Sequence, residues 1–379
     1  MLNSFQTYPF EKLSLLLEGI QTEAENVVDL TIGEPQFETP KPIQEALQNS
    51  THLLRKYPKS AGESSLKDAQ INFIKTRFDL SLAPHQLIPT FGTREVLFNF
   101  PHFLLSNKSD AHIAYPNPFY QIYEGGAIGA KAQIILMDLT KENQFKPSLT
   151  QSDLQKVNLV ILNSPNNPTG SILTLEELCT WVELALKYDF IILSDECYSE
   201  IYQDTPPPSI LEACLQVQNT SFDNILALNS ISKRSCAPGL RSGFIAGDSK
   251  LLEAYQLYRT YIGCAIPLPL QEAAKVAWNL SSEPTRLLYA QNLKIAQDIF
   301  PQTQISPYTF YVWLEVGDEL SFTTMLYRDY GIKVLPGSFL GRNGAGKGFV
   351  RLALVYPPSM ISIALQKIQY ALKHFKEDK

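Results

Sequence analysis

Seven short apolar runs most constrain what this chain can fold into: Leu87–Phe91, Ala111–Tyr115, Gln133–Met137, Leu159–Leu162, Phe190–Leu193, Ile225–Leu228 and Gly243–Ala246. Each is of strand length, too short for a buried helix. Amphipathic segments separate several of them. In Thr174–Tyr188, leucines recur at helical spacing behind a threonine in N-cap position, with Glu177 three residues later; that is the capping-box pattern. Strands alternating with helices cannot pair as hairpins. They imply a mostly parallel sheet of seven strands with helices on both faces, an α/β architecture.

Past about Leu270 the texture changes. A long helical stretch leads into Phe310–Val316, Ile332–Leu335 and Phe349–Val355, with a helical pattern near Phe322–Tyr330. This reads as a smaller α+β domain. A chain of 379 residues is too long for one hydrophobic core. The segment before Pro40 carries too little apolar content to stand alone and is expected to pack on that smaller unit. The expected division is a large domain over residues 39–270 and a small one formed by 1–38 with 271–379.

Several function classes lose their support. The net charge is −6 and basic residues form no long run, so nucleic acid gains little from this surface. Cys179, Cys197, Cys214, Cys236 and Cys264 lie far apart, without a C-x-x-C pair. That spacing fits neither a disulfide framework nor a zinc site, and a reducing cytoplasm is the expected home. His52, His85, His102, His112 and His374 are scattered, so no metal site is expected. No apolar stretch reaches membrane-spanning length, and Met1–Ile20 lacks the layout of a secretion signal. Gly341–Gly348 nearly spells a nucleotide P-loop, but it lacks the final Ser/Thr and runs into an apolar strand where a helix should start.

The chemistry collects at strand ends, where ligands bind in sheets of this kind. Leu159–Leu162 runs into Asn163-Ser164-Pro165-Asn166-Asn167-Pro168-Thr169-Gly170. Phe190–Leu193 runs into Ser194-Asp195-Glu196-Cys197-Tyr198, and Ile225–Leu228 into Asn229-Ser230-Ile231-Ser232-Lys233-Arg234. One polar strand end is ordinary; three in succession suggest a shared pocket. Between Leu87–Phe91 and the helix that follows, Gly92, Thr93 and Arg94 form a glycine turn at a helix start. Backbone amides there, with the Thr93 hydroxyl, make an anion cradle.

These motifs, in this order and at these separations, resemble the class I/II aminotransferases, pyridoxal 5'-phosphate enzymes of fold type I. The resemblance runs from Gly33-Glu34-Pro35 to Arg351. It implies that Lys233 holds the cofactor as a Schiff base and later shuttles a proton. Taken alone, Lys233 would read as one more surface lysine. The resemblance further implies that Asp195 faces the pyridine nitrogen, where a carboxylate keeps the ring cationic; alone it would read as a helix N-cap. Tyr198 and Asn167 match the pair that hydrogen-bonds the ring's phenolic oxygen. Ser230 and Arg241 complete the phosphate cradle, and Tyr120 matches the aromatic residue stacked on the ring. Arg351, inside an otherwise apolar strand, matches the clamp for the substrate α-carboxylate, and Gly33 the glycine whose backbone lies against the substrate. Tyr57 matches a tyrosine that reaches the phosphate of a neighbouring subunit, which implies a homodimer with shared active sites.

Within the family, the segments around Thr90–Phe100, Tyr115–Ala127 and Ser232–Phe244 resemble bacterial N-succinyldiaminopimelate aminotransferases. The implied reaction transfers an amino group from L-glutamate to the succinylated keto acid of lysine biosynthesis. An aspartate or broad-range aminotransferase is the runner-up. A C–S lyase on the same fold shares the cofactor motifs. A regulatory amino-acid sensor would need a DNA-binding module, for which the stretch before Gly33 has no room. Arg259 and Arg94 are the candidate cations for a distal carboxylate.

Overall fold

The computed structural model describes residues 5–377. Its strands, in chain order, are β1 (Val28–Asp29), β2 (Leu87–Thr90), β3 (His112–Asn117), β4 (Gln133–Asp138), β5 (Leu159–Asn163), β6 (Ile191–Asp195), β7 (Ile225–Ser230), β8 (Gly243–Gly247), β9 (Tyr311–Glu315), β10 (Ile332–Lys333), β11 (Leu335–Pro336) and β12 (Phe349–Ala353). Strands β2 to β8 form one seven-stranded sheet in the order β2-β8-β7-β6-β5-β3-β4. Only β8 runs against its neighbours; β3 to β7 are all paired parallel. Each of the seven apolar runs supplies one of these strands.

For every strand but β4, which lies at the sheet edge and is largely exposed, the reason is burial on both faces. One core cluster includes Val160, Leu162, Ile192 and Ala227 on one side of the sheet; another takes Leu159, Ile161, Leu193 and Leu226 on the other. Adjacent residues of one strand thus enter opposite cores, as period-two side chains must. Continuous apolar runs are what such strands require. The helix Leu175–Tyr188 starts at Thr174, whose hydroxyl accepts from the Glu177 N–H while Glu177 accepts from the Thr174 N–H. Val182 and Ala185 on its inner face are fully buried.

Beyond the long helix Glu283–Ile299, strand β12 lies between β11 and β9. The run Ile332–Leu335 splits in two. β10 pairs in parallel with β1, whereas β11 pairs antiparallel with β12, so the chain changes sheet at Val334. A separate core gathers Leu30 with Leu293, Val312, Phe322, Ile332, Leu352 and Leu365. The residues ahead of Pro40 therefore join the C-terminal part, through both β1 and Leu30. The 341–348 loop does run directly into strand β12, and Arg342 within it is tied to Glu124 by two hydrogen bonds. No described helix is long and apolar enough to cross a membrane, and the described residues contain no cluster of potential metal ligands.

Candidate active site

The carboxyl ends of β5, β6 and β7 and the turn after β2 open into one cavity of about 430 Å³. Its lining brings together Gly33, Thr93, Arg94, Tyr120, Asn167, Asp195, Tyr198, Ser230, Lys233, Arg241 and Arg351. The strand register explains the convergence. Asn163, at the end of β5, pairs with Asp195 at the end of β6, and Asp195 pairs with Leu228, two residues before the end of β7.

Asp195 is almost wholly buried. Its Oδ2 accepts from the Tyr123 hydroxyl at 2.8 Å and its Oδ1 from the Cys197 N–H at 3.3 Å. No basic side chain pairs with it among the described ion pairs. Burial raises its pKa, against the pull of those hydrogen bonds. A buried carboxylate without a protein cation is costly unless something cationic arrives. It starts no helix: the residues after it form a turn.

Lys233 sits in the short helix Ile231–Arg234, whose N-cap Ser230 accepts from the Ser232 N–H. The lysine donates to the carbonyl of Gly33. Burial, foremost, lowers its pKa, and the nearby Arg351 adds to the effect. An amine held below its ordinary value is more often the free base, the form that attacks a carbonyl.

Gly92 sits at φ +77°, ψ 159°, a conformation open essentially to glycine alone. A β-carbon there would lie 2.4 Å from Arg241 Nη2. The bare backbone and the guanidinium thus share one small volume at a helix start, whose first amides have no partner within the helix. Gly92→Ala is expected to push the guanidinium out of that volume and strain the turn. Cofactor affinity should fall about tenfold or more, read by titrating apo protein; unchanged affinity would refute the cradle.

Arg351, on β12, donates through Nη1 to Asn167 Oδ1 at 2.9 Å and through Nη2 to the Thr31 carbonyl. Its buried Nε has no partner. Arg94 Nε donates to the Tyr120 hydroxyl at 2.8 Å and its Nη2 to the Tyr8 hydroxyl at 3.2 Å. The guanidinium thus faces two phenols and no carboxylate, with N–H groups to spare, and its backbone amide lies in the first turn of the helix behind Gly92. Arg259 is elsewhere. Fully buried, it forms a two-pronged pair with Glu95 and also donates to the carbonyls of Ser60 and Cys264. It is a strut and not a free cation, so the expectation that it could meet a substrate is overturned. Tyr57 lies outside the cavity and is wholly exposed.

Four aromatic residues of the pocket escaped the motif reading: Tyr8, Phe10, Tyr123 and Tyr311. Tyr123 holds Asp195, as above. Tyr311, on β9, has its hydroxyl 3.2 Å from that of Tyr198. Tyr123 and Tyr311 look like core aromatics in sequence, and Tyr311 lies far along the chain from the motifs it joins.

The cavity carries Lys233, Arg94, Arg241 and Arg351 against the single carboxylate of Asp195. None of these three arginines is in an ion pair with a protein carboxylate among the described residues. A chain of net charge −6 has concentrated unneutralised cations around one buried anion. Such a site defines a class: an α/β protein whose pocket, at the carboxyl edge of its sheet, suits an anionic ligand that also carries a positive charge for the buried carboxylate.

The family follows from likeness to known proteins. The chain matches the family model "aminotransferase class I and II" over residues 25–368 and belongs to that family, whose members are pyridoxal-phosphate-dependent transaminases. Over 381 residues it is 32% identical to an LL-diaminopimelate aminotransferase of Aquifex aeolicus, with 96% of each chain covered. Among solved structures it is similar to aminotransferase AspB from Helicobacter pylori, at 55% identity and a TM-score of 0.96, over 97% of this chain and 99% of that one. An aminotransferase from Neisseria meningitidis is 39% identical with a TM-score of 0.92, over 97% and 98% of the two chains. The residues present fit the cofactor: a buried carboxylate lacking a cation, and a cradle that one β-carbon would fill.

Proposed function

We propose that this aminotransferase exchanges the amino group of L-glutamate with a 2-oxo acid bearing a distal carboxylate, the best candidate being N-succinyl-L-2-amino-6-oxopimelate. The observation that carries an acidic substrate is the third arginine. Arg241 would serve the phosphate and Arg351 the α-carboxylate, which leaves the Arg94 guanidinium, bound only to two phenols, for a second carboxylate. The diaminopimelate name of the Aquifex relative favours a pimelate skeleton.

The cofactor, when bound, supplies the electron sink that acidifies the substrate α-carbon. The chain's residues would do the rest. Lys233 holds the cofactor and, once released, takes the α-proton and returns it. Asp195 keeps a proton on the ring nitrogen. Burial, foremost, pushes the Tyr198 phenol well above its ordinary value, so it stays a proton donor at neutral pH, aimed with Asn167 at the ring oxygen. Arg351 grips the α-carboxylate with a planar fork, while the Gly33 backbone leaves room for the substrate.

Arg94→Ala is expected to raise KM for glutamate and for the acidic acceptor roughly tenfold to a hundredfold, the worth of a charge-assisted contact. Alanine and pyruvate should be unaffected; equal losses for both substrate kinds would remove Arg94 from this role. The direct test of the acceptor is the steady-state rate with the succinylated keto acid against oxaloacetate, with L-glutamate as donor. A rate no better than with oxaloacetate favours the second reading, an aspartate-type aminotransferase.

The site is also proposed to be shared across a homodimer. Tyr57 is exposed, as are Leu54, Leu257 and Tyr261. Ser60 joins its loop to the helix Ser249–Ile262 through Gln256 and Thr260. A second copy covering this surface would bring its own Tyr57 to the phosphate cradle.

A further inference from the structure

The geometry points to Tyr311 as a positioning residue that links the carboxylate clamp to the cofactor's ring oxygen: its hydroxyl donates to Tyr198 while its ring backs Arg351. This rests on the roles proposed above for Tyr198 and Arg351.

Three contacts converge on this one side chain, which is buried. Its hydroxyl is 3.2 Å from the Tyr198 hydroxyl, with the two rings edge to face. The Arg351 guanidinium carbon lies 4.3 Å from its ring centroid. A β-carbon on Gly33 would lie 1.9 Å from its hydroxyl oxygen, and Gly33 supplies the carbonyl that accepts from Lys233. The strand register produces the arrangement. Arg351 pairs with Trp313 across β12 and β9, so Tyr311, two residues along, is its diagonal neighbour on the same face. The approach to Tyr198 is fixed at the start of β9. There the Tyr311 N–H donates to Thr309 Oγ1, and the Thr309 N–H donates to the carbonyl of Ile201, three residues past Tyr198.

Proton counting gives the bond its direction. Tyr198 has a single hydroxyl proton. When that proton is given to the ring oxygen, the contact with Tyr311 must be donated by Tyr311. A phenol that accepts one hydrogen bond is a stronger donor of its own. The Tyr311 hydroxyl therefore strengthens the grip of Tyr198 on the ring oxygen in its deprotonated form. The same ring stacks on the guanidinium that receives the substrate carboxylate, so occupancy of the clamp and the proton affinity of the Lys233–cofactor link share a side chain.

The test is a pH titration of the visible absorption of the cofactor-loaded protein. In Tyr311→Phe, which keeps the ring and so the packing on Gly33 and Arg351, the midpoint should rise by roughly half to one pH unit. In a Tyr198→Phe background the same substitution should move it no further. Tyr311→Leu should reproduce the shift and also weaken binding of a simple dicarboxylate such as succinate several-fold, while Tyr311→Phe leaves that affinity intact. An unchanged or lowered midpoint in Tyr311→Phe, or an equal shift without Tyr198, overturns the inference and leaves the proposed function standing. A parent protein without any visible cofactor band would overturn both.

Discussion

Lys233→Ala is expected to abolish transamination, with turnover falling by about ten-thousandfold or more, because two roles end together. The amine that fixes the cofactor is lost, and so is the base that moves the α-proton, itself worth about 10²–10⁴. The surroundings single out this lysine. It is the only lysine lining the cavity among the described residues, it is half-buried, and desolvation lowers its pKa so that a free amine is available. The fold should tolerate the change, since the lysine's hydrogen bond is to the Gly33 carbonyl and alanine suits a helix. Loss of rate with an unchanged melting temperature is the expected pair of results. Reduction of the cofactor-loaded parent protein with borohydride, followed by peptide mapping, should place the label on the peptide that contains Lys233. A label on any other lysine, or substantial turnover by the alanine variant, would refute the assignment.

How much of this was legible in sequence depends on the range of the interaction. Six of the seven strands were readable because a strand buried on both faces must be continuously apolar, and nothing else satisfies that within four or five residues; β4, at the sheet edge, is largely exposed and was readable from its apolar run alone. Their ends were less so. β5 and β6 continue through Asn163 and Asp195, whose backbones still pair while their side chains serve the pocket, and hydropathy reports only the side chains. Val334 looked like the middle of one strand, yet the chain changes partners there. That switch depends on β1, some 300 residues earlier, and leaves no local mark.

The site divides the same way. Motif residues at strand ends came together as expected. Arg259 and Arg94 could not be told apart, because what separates them is a distant partner: Glu95 neutralises Arg259, whereas Arg94 meets only phenols. Tyr123 and Tyr311 were invisible for the converse reason. A tyrosine in an apolar context reads as core, and only the contact made by its hydroxyl reveals more. For Tyr123 a signal existed: it lies three residues after Tyr120, which places both on one face of a helical turn.

Asp195→Asn should act in opposite directions on activity and on the stability of the cofactor-free protein. With cofactor bound, the carboxylate faces a protonated ring nitrogen. Removing one partner of such a buried pair costs about 3–5 kcal/mol, so activity should fall some hundreds- to thousands-fold. Asparagine retains an acceptor for the Tyr123 hydroxyl, so the loss would report charge and not a missing hydrogen bond. Without cofactor the same carboxylate is buried and unpaired. Its folded pKa is raised by burial, so between the ordinary aspartate value near about 4 and that raised value the native state binds more protons than the unfolded one. Stability from this group is therefore full at low pH and is lost as pH rises through the window. Glu196, pushed up to about 7 by burial, contributes with the same sign, and subtracting variant from parent isolates Asp195. Melting curves of the two apo proteins from acid to neutral pH should thus diverge, with Asp195→Asn the more stable at pH 7 and the gap closing in acid. Parallel curves would mean that Asp195 is already neutralised by the protein, and its claim on a cationic ring would lapse.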